Sequence, residues 1–348
     1  MLTPYIYINY RKMLNNIKTM ADMASEANID IRPHCKSHKT VEIAKQQIRF
    51  GASGITASTL KEVDMLIKGG IDSITLAYPL IGDEKINIYK KLGNNLDLRG
   101  IALDFEHAKY LNKYFSRSNP FIAYLKVDCG LKRLGIQPEE IVETIEKISE
   151  LENIMIVGLL THGGQSYSGL IPPEVVAKVE AAAVLSHKLP SLLASAGSTP
   201  TAKELLKIDG VDEIRPGNYV FYDNTMINLG ICQEEDCALF IKSTILAIYE
   251  TYMVIDAGSK SFSSDSGVHG NNLLKGFGLI VEDKTLKIDR LSEEHGIVIG
   301  EGINNFKVED CLTIIPNHAC AVVNLFDEMH VFDGKKLFDS YKIRGRGH

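Results

Sequence analysis

Between residues 29 and 223 short apolar runs alternate with stretches whose apolar positions recur at helical spacing. The runs are IDIRPH, GITAS, SITLAY, LRGIALD, FIAYLKVD, IMIVGLL, LPSLLAS and VDEIRPG. Between them lie VEIAKQQIRF, LKEVDMLIKGG, DEKINIYKKL, FEHAKYLNKYF, EEIVETIEKI, PEVVAKVEAAAVLSHK and TAKELLKI. Strands separated by helices predict parallel βα units. Eight of them predict an α/β fold built on a (β/α)8 TIM-type barrel. A doubly wound open sheet has the same periodicity and stays as the alternative, because the pattern does not report closure. Ahead of the first unit, TPYIYIN and YRKMLNNIKTMADMASEA read as one more strand and a long helix. From Gln233 the pattern changes to KSTILAIYE, YMVIDAGSKSF, LLKGFGLIVE, TLKIDRL, GIVIG and DCLTIIPNHACAVVNL, strand-like runs between turn residues, with no clear helix. The chain therefore divides into a barrel over 10–232 and a C-terminal mainly-β domain over 233–348, to which the N-terminal strand 3–9 is assigned.

Composition narrows the class. The 348 residues are 45% hydrophobic and carry a net charge of −6, from 38 basic and 44 acidic side chains. That is ample for a core and gives no basic surplus for nucleic acid. No apolar run reaches the roughly 18 residues of a membrane span. The start MLTPYIYINYRK has none of the features of a signal peptide, and six cysteines without paired spacing read as reduced thiols, so a cytoplasmic location is expected. The basic stretch RGRGH reads as a solvated end.

In a parallel barrel the chemistry sits at the C-terminal strand ends. Strand one ends in His34, Cys35 and Lys36, strand three near Tyr78, strand five at Asp128 with Arg133 in the following turn, and strand six at Thr161, His162, Gly163 and Gly164. Strand seven runs into SAGSTPT at 195–201, and strand eight ends in Arg215, Pro216, Gly217, Asn218 and Tyr219. SAGST before a helix is common punctuation. It is also a cradle in which N–H groups and the Ser198 and Thr199 hydroxyls can face an anion. Two such loops after strands seven and eight favour phosphate, the usual phosphate position of these barrels. A phosphate site beside a strand-end lysine suggests pyridoxal phosphate, which needs a lysine for its Schiff base. Lys36 is the better lysine; Lys39 falls in the first turn of the next helix and is expected to face solvent. An ordinary surface lysine is the competing reading of Lys36.

RPHCKSHKT, with its lysine directly after strand one, resembles the cofactor-lysine motif of the D-threonine aldolase and D-serine dehydratase family. These are fold-type III pyridoxal phosphate enzymes related through the barrel to alanine racemase. TPYIYINYRKMLNNI, VDCGLKRLGI, THGGQSY, SAGSTPT, EIRPGNYVFYD, DAGSKSFSSD, EEHG and IPNHACAVVNL extend the resemblance, in order, over nearly the whole chain. It implies that Lys36 carries the cofactor and Arg133 lies near its phenolic oxygen. It places His162 against the ring or the substrate hydroxyl, with Tyr167 nearby, and Ser198, Thr199, Gly217 and Asn218 around the phosphate. Arg215 matches the racemase arginine facing the ring nitrogen, although this branch does not always use it so, and a salt bridge closing the barrel end is the competing role.

His318 and Cys320 stand two apart in a run read as a strand, where i and i+2 share a face. An imidazole beside a thiolate suits zinc, whereas a lone HxC is more often a core thiol and a loop histidine. The resemblance favours the metal. Cys at the second position is like the dehydratase members, since aldolase members more often place a carboxylate there and use manganese. Asp265, His269 and His295 either line the same entrance or belong to polar loops. Cys35, Cys129 and Cys311 read as packing. The resemblance thus implies a lyase acting on D-β-hydroxy amino acids, D-serine dehydratase-like, releasing a keto acid and ammonia. Lys36 would be the base and the metal would polarise the β-hydroxyl. An aldolase yielding glycine and an aldehyde, with His162 as base, is the alternative. A racemase or a non-catalytic pyridoxal phosphate carrier stand further off. A homodimer is implied as well.

Overall fold

The opening run YIYIN alternates outward tyrosines with Ile6 and Ile8, both wholly buried, and forms β1 (Tyr5–Asn9). Asn9 ends it by capping the helix Tyr10–Glu26, its side-chain oxygen accepting from the Lys12 N–H at 3.1 Å. Met13, Ile17, Met20 and Ala24 recur every three or four residues and bury one face of that helix. This computed structural model describes residues 1–93, 96–264 and 274–347.

Eight parallel strands follow: β2 (Asp30–Ile31), β3 (Ile55–Ala57), β4 (Ser73–Leu76), β5 (Asp97–Ala102), β6 (Phe121–Lys126), β7 (Ile154–Leu160), β8 (Leu193–Ala196) and β9 (Glu213–Ile214). Neighbours in sequence are neighbours in space, and β9 pairs back onto β2 through Asp30↔Glu213. Between the first two strands the ring is closed by Ser53 N–H to the Ile31 carbonyl (3.0 Å), Thr56 N–H to the Pro33 carbonyl (2.8 Å) and a parallel bridge between His34 and Thr56. Closure excludes the open-sheet alternative. All eight apolar runs read from the sequence became barrel strands, each short and apolar as suits a strand buried on both faces.

The second sheet contains β10 (Leu239–Ile248), β11 (Met253–Ile255), β12 (Leu279–Ile280), β13 (Lys287–Leu291), β14 (Gly296–Ile299), β15 (Cys311–Ile315), β16 (Glu328–Asp333) and β17 (Lys336–Lys342). β1 lies within it, antiparallel to β10 and parallel to β16. One apolar core continues from this sheet (Leu239, Ile241, Ile314, Val331) into Ala196, Ile214, Tyr219, Val220 and Phe221 at the end of the barrel. That shared core seats the second sheet beside the strand ends where the polar loops gather.

Four expectations are corrected. The run 310–325 is not one strand. Pro316, which has no N–H to give a ladder, follows β15, and a short helix, Ala319–Val323, begins where the buried Asp223 carboxylate accepts the Ala319 N–H at 2.9 Å. His318 therefore caps a helix that contains Cys320, and the shared-face argument for a strand does not hold. Lys39 lies before its helix, not in it, with a left-handed φ of 53°, and is buried. The stretch RGRGH is not simply solvated, since Gly345 is buried. Cys311 is exposed, whereas Cys35 and Cys129 are buried as expected.

Candidate functional site

A cavity of about 460 Å³ opens at the C-terminal ends of the barrel strands against the second sheet, a size suited to a cofactor with its substrate. Lys36, Arg133, His162, Tyr167, Ser198, Arg215, Gly217, Asn218, His318 and Cys320 all line it. Thr199 does not. Its hydroxyl lies one layer behind and accepts the N–H groups of Gly217 and Tyr219, each at 3.2 Å, so it ties the two Gly-containing loops together. The helix after SAGST is only Ala202–Leu205, too short to offer a substantial dipole, which leaves hydroxyls and N–H groups as the anion donors. His295 is exposed and is not among the cavity's lining residues. Asp265 and His269 lie outside the described residues.

Lys36 stands in a tight turn, Cys35–Ser37, that ends the first barrel unit. Removal from water lowers its pKa; Cys320 opposes that shift and the Arg133 and Arg215 charges add to it. His162 donates from Nδ1 to the Gly197 carbonyl at 3.2 Å, which leaves Nε2 as an acceptor. Burial and the nearby Lys36 hold its pKa well below 6.5, so the ring is neutral. Arg215 is buried and its fork is spent on the Ser195 hydroxyl and the Thr161 carbonyl. Its neighbour Glu213 pairs with Arg32 at 2.7 Å instead. Arg215 therefore presents its charge to the cavity without an ion pair of its own among the described residues.

Cys320 Sγ is hydrogen-bonded to Ser37 Oγ at 3.3 Å, which joins the second sheet's thiol to the turn that carries Lys36. Burial raises the thiol's pKa, but His318, Ser37 and Lys36 outweigh it and the net shift is downward, toward the thiolate that a metal needs. The two donors thus fit a soft divalent ion. Among the described residues no cluster of three or more His, Cys, Asp or Glu side chains gathers. The remaining coordination positions would fall to non-protein ligands.

Sequence reasoning missed two lining or supporting groups. Lys126 lies in the cavity wall, held to the Val127 and Leu160 carbonyls at 3.2 and 3.4 Å, and burial pushes its pKa down to about 8. The signal was present: a lysine near the end of the apolar run FIAYLKVD. Glu180, wholly buried on the helix Pro173–Leu185, accepts the N–H groups of Gly163 and Gly197 and so fixes the loops after β7 and β8 from behind. Nothing in its helical context announced it.

The lining suits pyridoxal phosphate. Four cationic side chains (Lys36, Lys126, Arg133, Arg215) and no Asp or Glu line the cavity among the described residues, so an anion is favoured. Gly217 lets its loop pass close to the lysine turn, since a Cβ there would lie 2.8 Å from Ser37 Oγ and 3.3 Å from the His34 carbonyl oxygen.

The family described as Alanine racemase, N-terminal domain matches residues 8–225, and that described as Putative serine dehydratase domain matches 238–332. The chain is 30% identical to a D-serine dehydratase of Dictyostelium discoideum, covering 98% of this chain and 96% of that protein. A D-threonine aldolase of Arthrobacter sp is 23% identical over 99% and 93%. The solved D-threo-3-hydroxyaspartate dehydratase from Delftia sp. HT23 superposes with a TM-score of 0.91 at 27% identity, covering 100% and 98%. A cysteine-to-alanine variant of a D-threo-3-hydroxyaspartate dehydratase, in the metal-free form, superposes with a TM-score of 0.90 at 27% identity, covering 100% and 98%.

Proposed function

Since this chain belongs to the D-serine dehydratase and D-threonine aldolase family of alanine racemase-like proteins, we propose that it is a D-serine dehydratase-type enzyme that uses Lys36, pyridoxal phosphate and a soft divalent metal, zinc before manganese. Within that family it is a lyase of D-β-hydroxy amino acids. The observation that carries the dehydratase reading is that Lys36, His318 and Cys320 line one cavity, with Cys320 tied to the lysine turn through Ser37 at 3.3 Å.

Bound pyridoxal phosphate supplies the electron sink that makes the substrate Cα–H acidic. Lys36 would anchor it, with Ser198, Gly217 and Asn218 at the phosphate end, Thr199 tying the two loops together from behind, and Arg133 at the rim. Because burial lowers its pKa, the Lys36 amine is available as the base that takes the Cα proton. His318 and Cys320 would hold a metal, which would supply Lewis-acid polarisation of the β-oxygen. Ser37 holds the Cys320 sulfur beside the lysine turn, and Tyr167, Ile101 and Leu160 line the same cavity. Loss of the hydroxyl and hydrolysis give a keto acid and ammonia; with D-serine the keto acid is pyruvate.

One observation favours a second reading. The Nε2 acceptor of neutral His162 also faces the cavity and can take a proton from the β-hydroxyl, which breaks Cα–Cβ and gives glycine and an aldehyde. The test is to load the purified protein with pyridoxal phosphate and zinc, or manganese in parallel. D-serine, D-threo-3-hydroxyaspartate and D-threonine are then supplied, and keto acid and glycine are assayed side by side. Keto acid that is lost on chelation and restored by zinc supports the dehydratase; glycine plus aldehyde refutes it. The reading extends to a cytoplasmic homodimer. The exposed apolar side chains of Tyr78 and Leu134 beside the cavity support the dimer, and sedimentation of a monomer would refute it.

A further inference from the structure

The wholly buried Glu62 lies directly behind the Lys36 turn. Its carboxylate accepts from the Ser58 N–H at 2.6 Å and from Cys35 Sγ at 3.5 Å, and pairs with Lys39 Nζ at 2.8 Å. Lys39 is therefore no solvent-facing lysine. It is bent inward by a left-handed backbone, a conformation that a non-glycine residue holds only when its surroundings fix it.

The fixing contacts come from the far end of the chain. Gly345 donates its N–H to the Lys39 carbonyl at 3.0 Å, and the Gly345 carbonyl accepts from Lys39 Nζ at 3.3 Å. A Cβ at Gly345 would stand 3.2 Å from each of Glu62 Cγ, Lys39 Cβ and Met65 Sδ. Two residues on, the Gly347 N–H donates to Asn324 Oδ1 at 3.1 Å, and Asn324 closes the helix that contains Cys320. Ile343 N–H is bonded to the Asp327 carbonyl at 2.9 Å, and Arg346 pairs with Asp327. Residues 343–347 thus touch the lysine turn with one residue and the metal-ligand helix with another. The two elements also meet directly, through the contact of Cys320 with Ser37.

We propose that segment 343–347 is a positioning strap that sets the spacing between Lys36 and the His318–Cys320 pair, with Gly345 acting through Lys39 and Asn324 acting through its helix. This rests on the lysine and metal roles proposed above. Neither Gly345 nor Asn324 is among the residues that line the cavity, so both act through other residues. Small misplacement of reacting groups lowers rate far more than binding.

The test compares zinc- and pyridoxal phosphate-loaded wild type with Gly345→Pro, which removes the N–H given to Lys39, and with Asn324→Ala, which removes only the Gly347 tether. The readouts are kcat and KM on the best of the three D-amino acids, the zinc dissociation constant by chelator competition, and the pH midpoint of the visible lysine–cofactor band. The expected result is a kcat lower by about tenfold or more, with KM within about twofold. Zinc should bind about tenfold more weakly, as when the surroundings that orient a metal ligand are disturbed, and the band midpoint should move. If Gly345→Pro fails to fold, Asn324→Ala decides by the same criteria. Wild-type kcat, zinc affinity and midpoint in the folded variants, whatever happens to Tm, overturn the strap. A wild type with neither the band nor zinc-dependent turnover overturns the functional reading and the strap with it.

Discussion

His38, two residues beyond Lys36, makes the protein's acid stability calculable. It has no solvent exposure. Its Nδ1 accepts the Thr40 N–H at 3.2 Å, and Nε2–H donates to Gln47 Oε1 at 3.2 Å; Gln47 in turn donates to the Tyr219 hydroxyl at 3.0 Å. Desolvation dominates and brings the pKa from 6.5 down to about 3, the bonds to Gln47 and Thr40 recovering only part. Below pH 6.5 the unfolded chain takes up a proton that the folded chain refuses. The unfolded state then binds more protons, so stability falls as the pH falls, over the window from 6.5 to about 3. Only the portion of the shift above pH 5 enters a titration from pH 7 to pH 5, and it amounts to about 2 kcal/mol. The assay is urea unfolding of wild type and His38→Leu at pH 7, 6 and 5. Leucine cannot titrate. It leaves Gln47 Oε1 and the Thr40 N–H unpartnered, so the variant starts less stable by about 1–3 kcal/mol. The wild-type advantage should then shrink by about 2 kcal/mol between pH 7 and pH 5. Curves that stay parallel over that range refute the buried neutral imidazole. The other buried or cavity histidines cancel in the comparison.

Three substitutions test the site from different sides. Lys36→Ala should abolish the visible lysine–cofactor band and lower turnover by about 10²–10⁴-fold or more, with little change in Tm, because the side chain projects into a cavity; a persisting band refutes its role. Gly217→Ala sets a Cβ 2.8 Å from Ser37 Oγ, and equilibrium dialysis should show pyridoxal phosphate held about tenfold more weakly, a loss near 1.4 kcal/mol. Glu180→Leu strands the Gly163 and Gly197 N–H groups, at a cost of about 1–3 kcal/mol each. Thermal unfolding should report that loss, while Glu180→Gln, which keeps one acceptor oxygen, should restore part of it.

The barrel was legible because its signal repeats: eight apolar runs, each bounded by a helical period, survive even where the final strand is two residues long, as in β2 and β9. The candidate lysine and the two Gly-containing loops were legible as residue types at strand ends, and the HxC pair as a spacing within a run read as a strand. Their local geometry was less so. A strand reading of PNHAC rests on apolar flanks, and what decides for a helix is Asp223, which accepts the Ala319 N–H from almost a hundred positions earlier in the chain. Lys39 looked solvent-facing because charge alone predicts exposure. Its partners, Glu62 and Gly345, stand 23 and 306 positions away. The RGRGH stretch has the composition of a loose end, and only its main chain and the missing Cβ of Gly345 let it dock. Contacts made by backbone and by small residues leave no trace in hydropathy or charge.

The electrostatics of the cavity follow from the same division between local and distant partners. Net charge over the chain is −6, yet four cations and no carboxylate line this one cavity among the described residues. Each cation is accommodated differently. Arg215 cannot shed its proton and is held by the neutral dipoles of Ser195 and Thr161. Arg133 is relieved by exposure at the rim. Lys126, bound to two carbonyls, is brought to about 8, and Lys36 is lowered by burial and by the two arginines. Glu62, buried behind the lysine turn, is paired with Lys39, so it raises the Lys36 pKa only through its charge, against the larger effect of burial. The carboxylates are thus placed behind the turn and behind the loops, where they orient backbone. The cavity itself is left with a surplus of positive charge that an anionic ligand can neutralise and with two lysines whose pKa burial lowers. That arrangement needs Lys39 and Glu62 to satisfy each other, and for this reason a second lysine three residues after the first belongs to the design of the site.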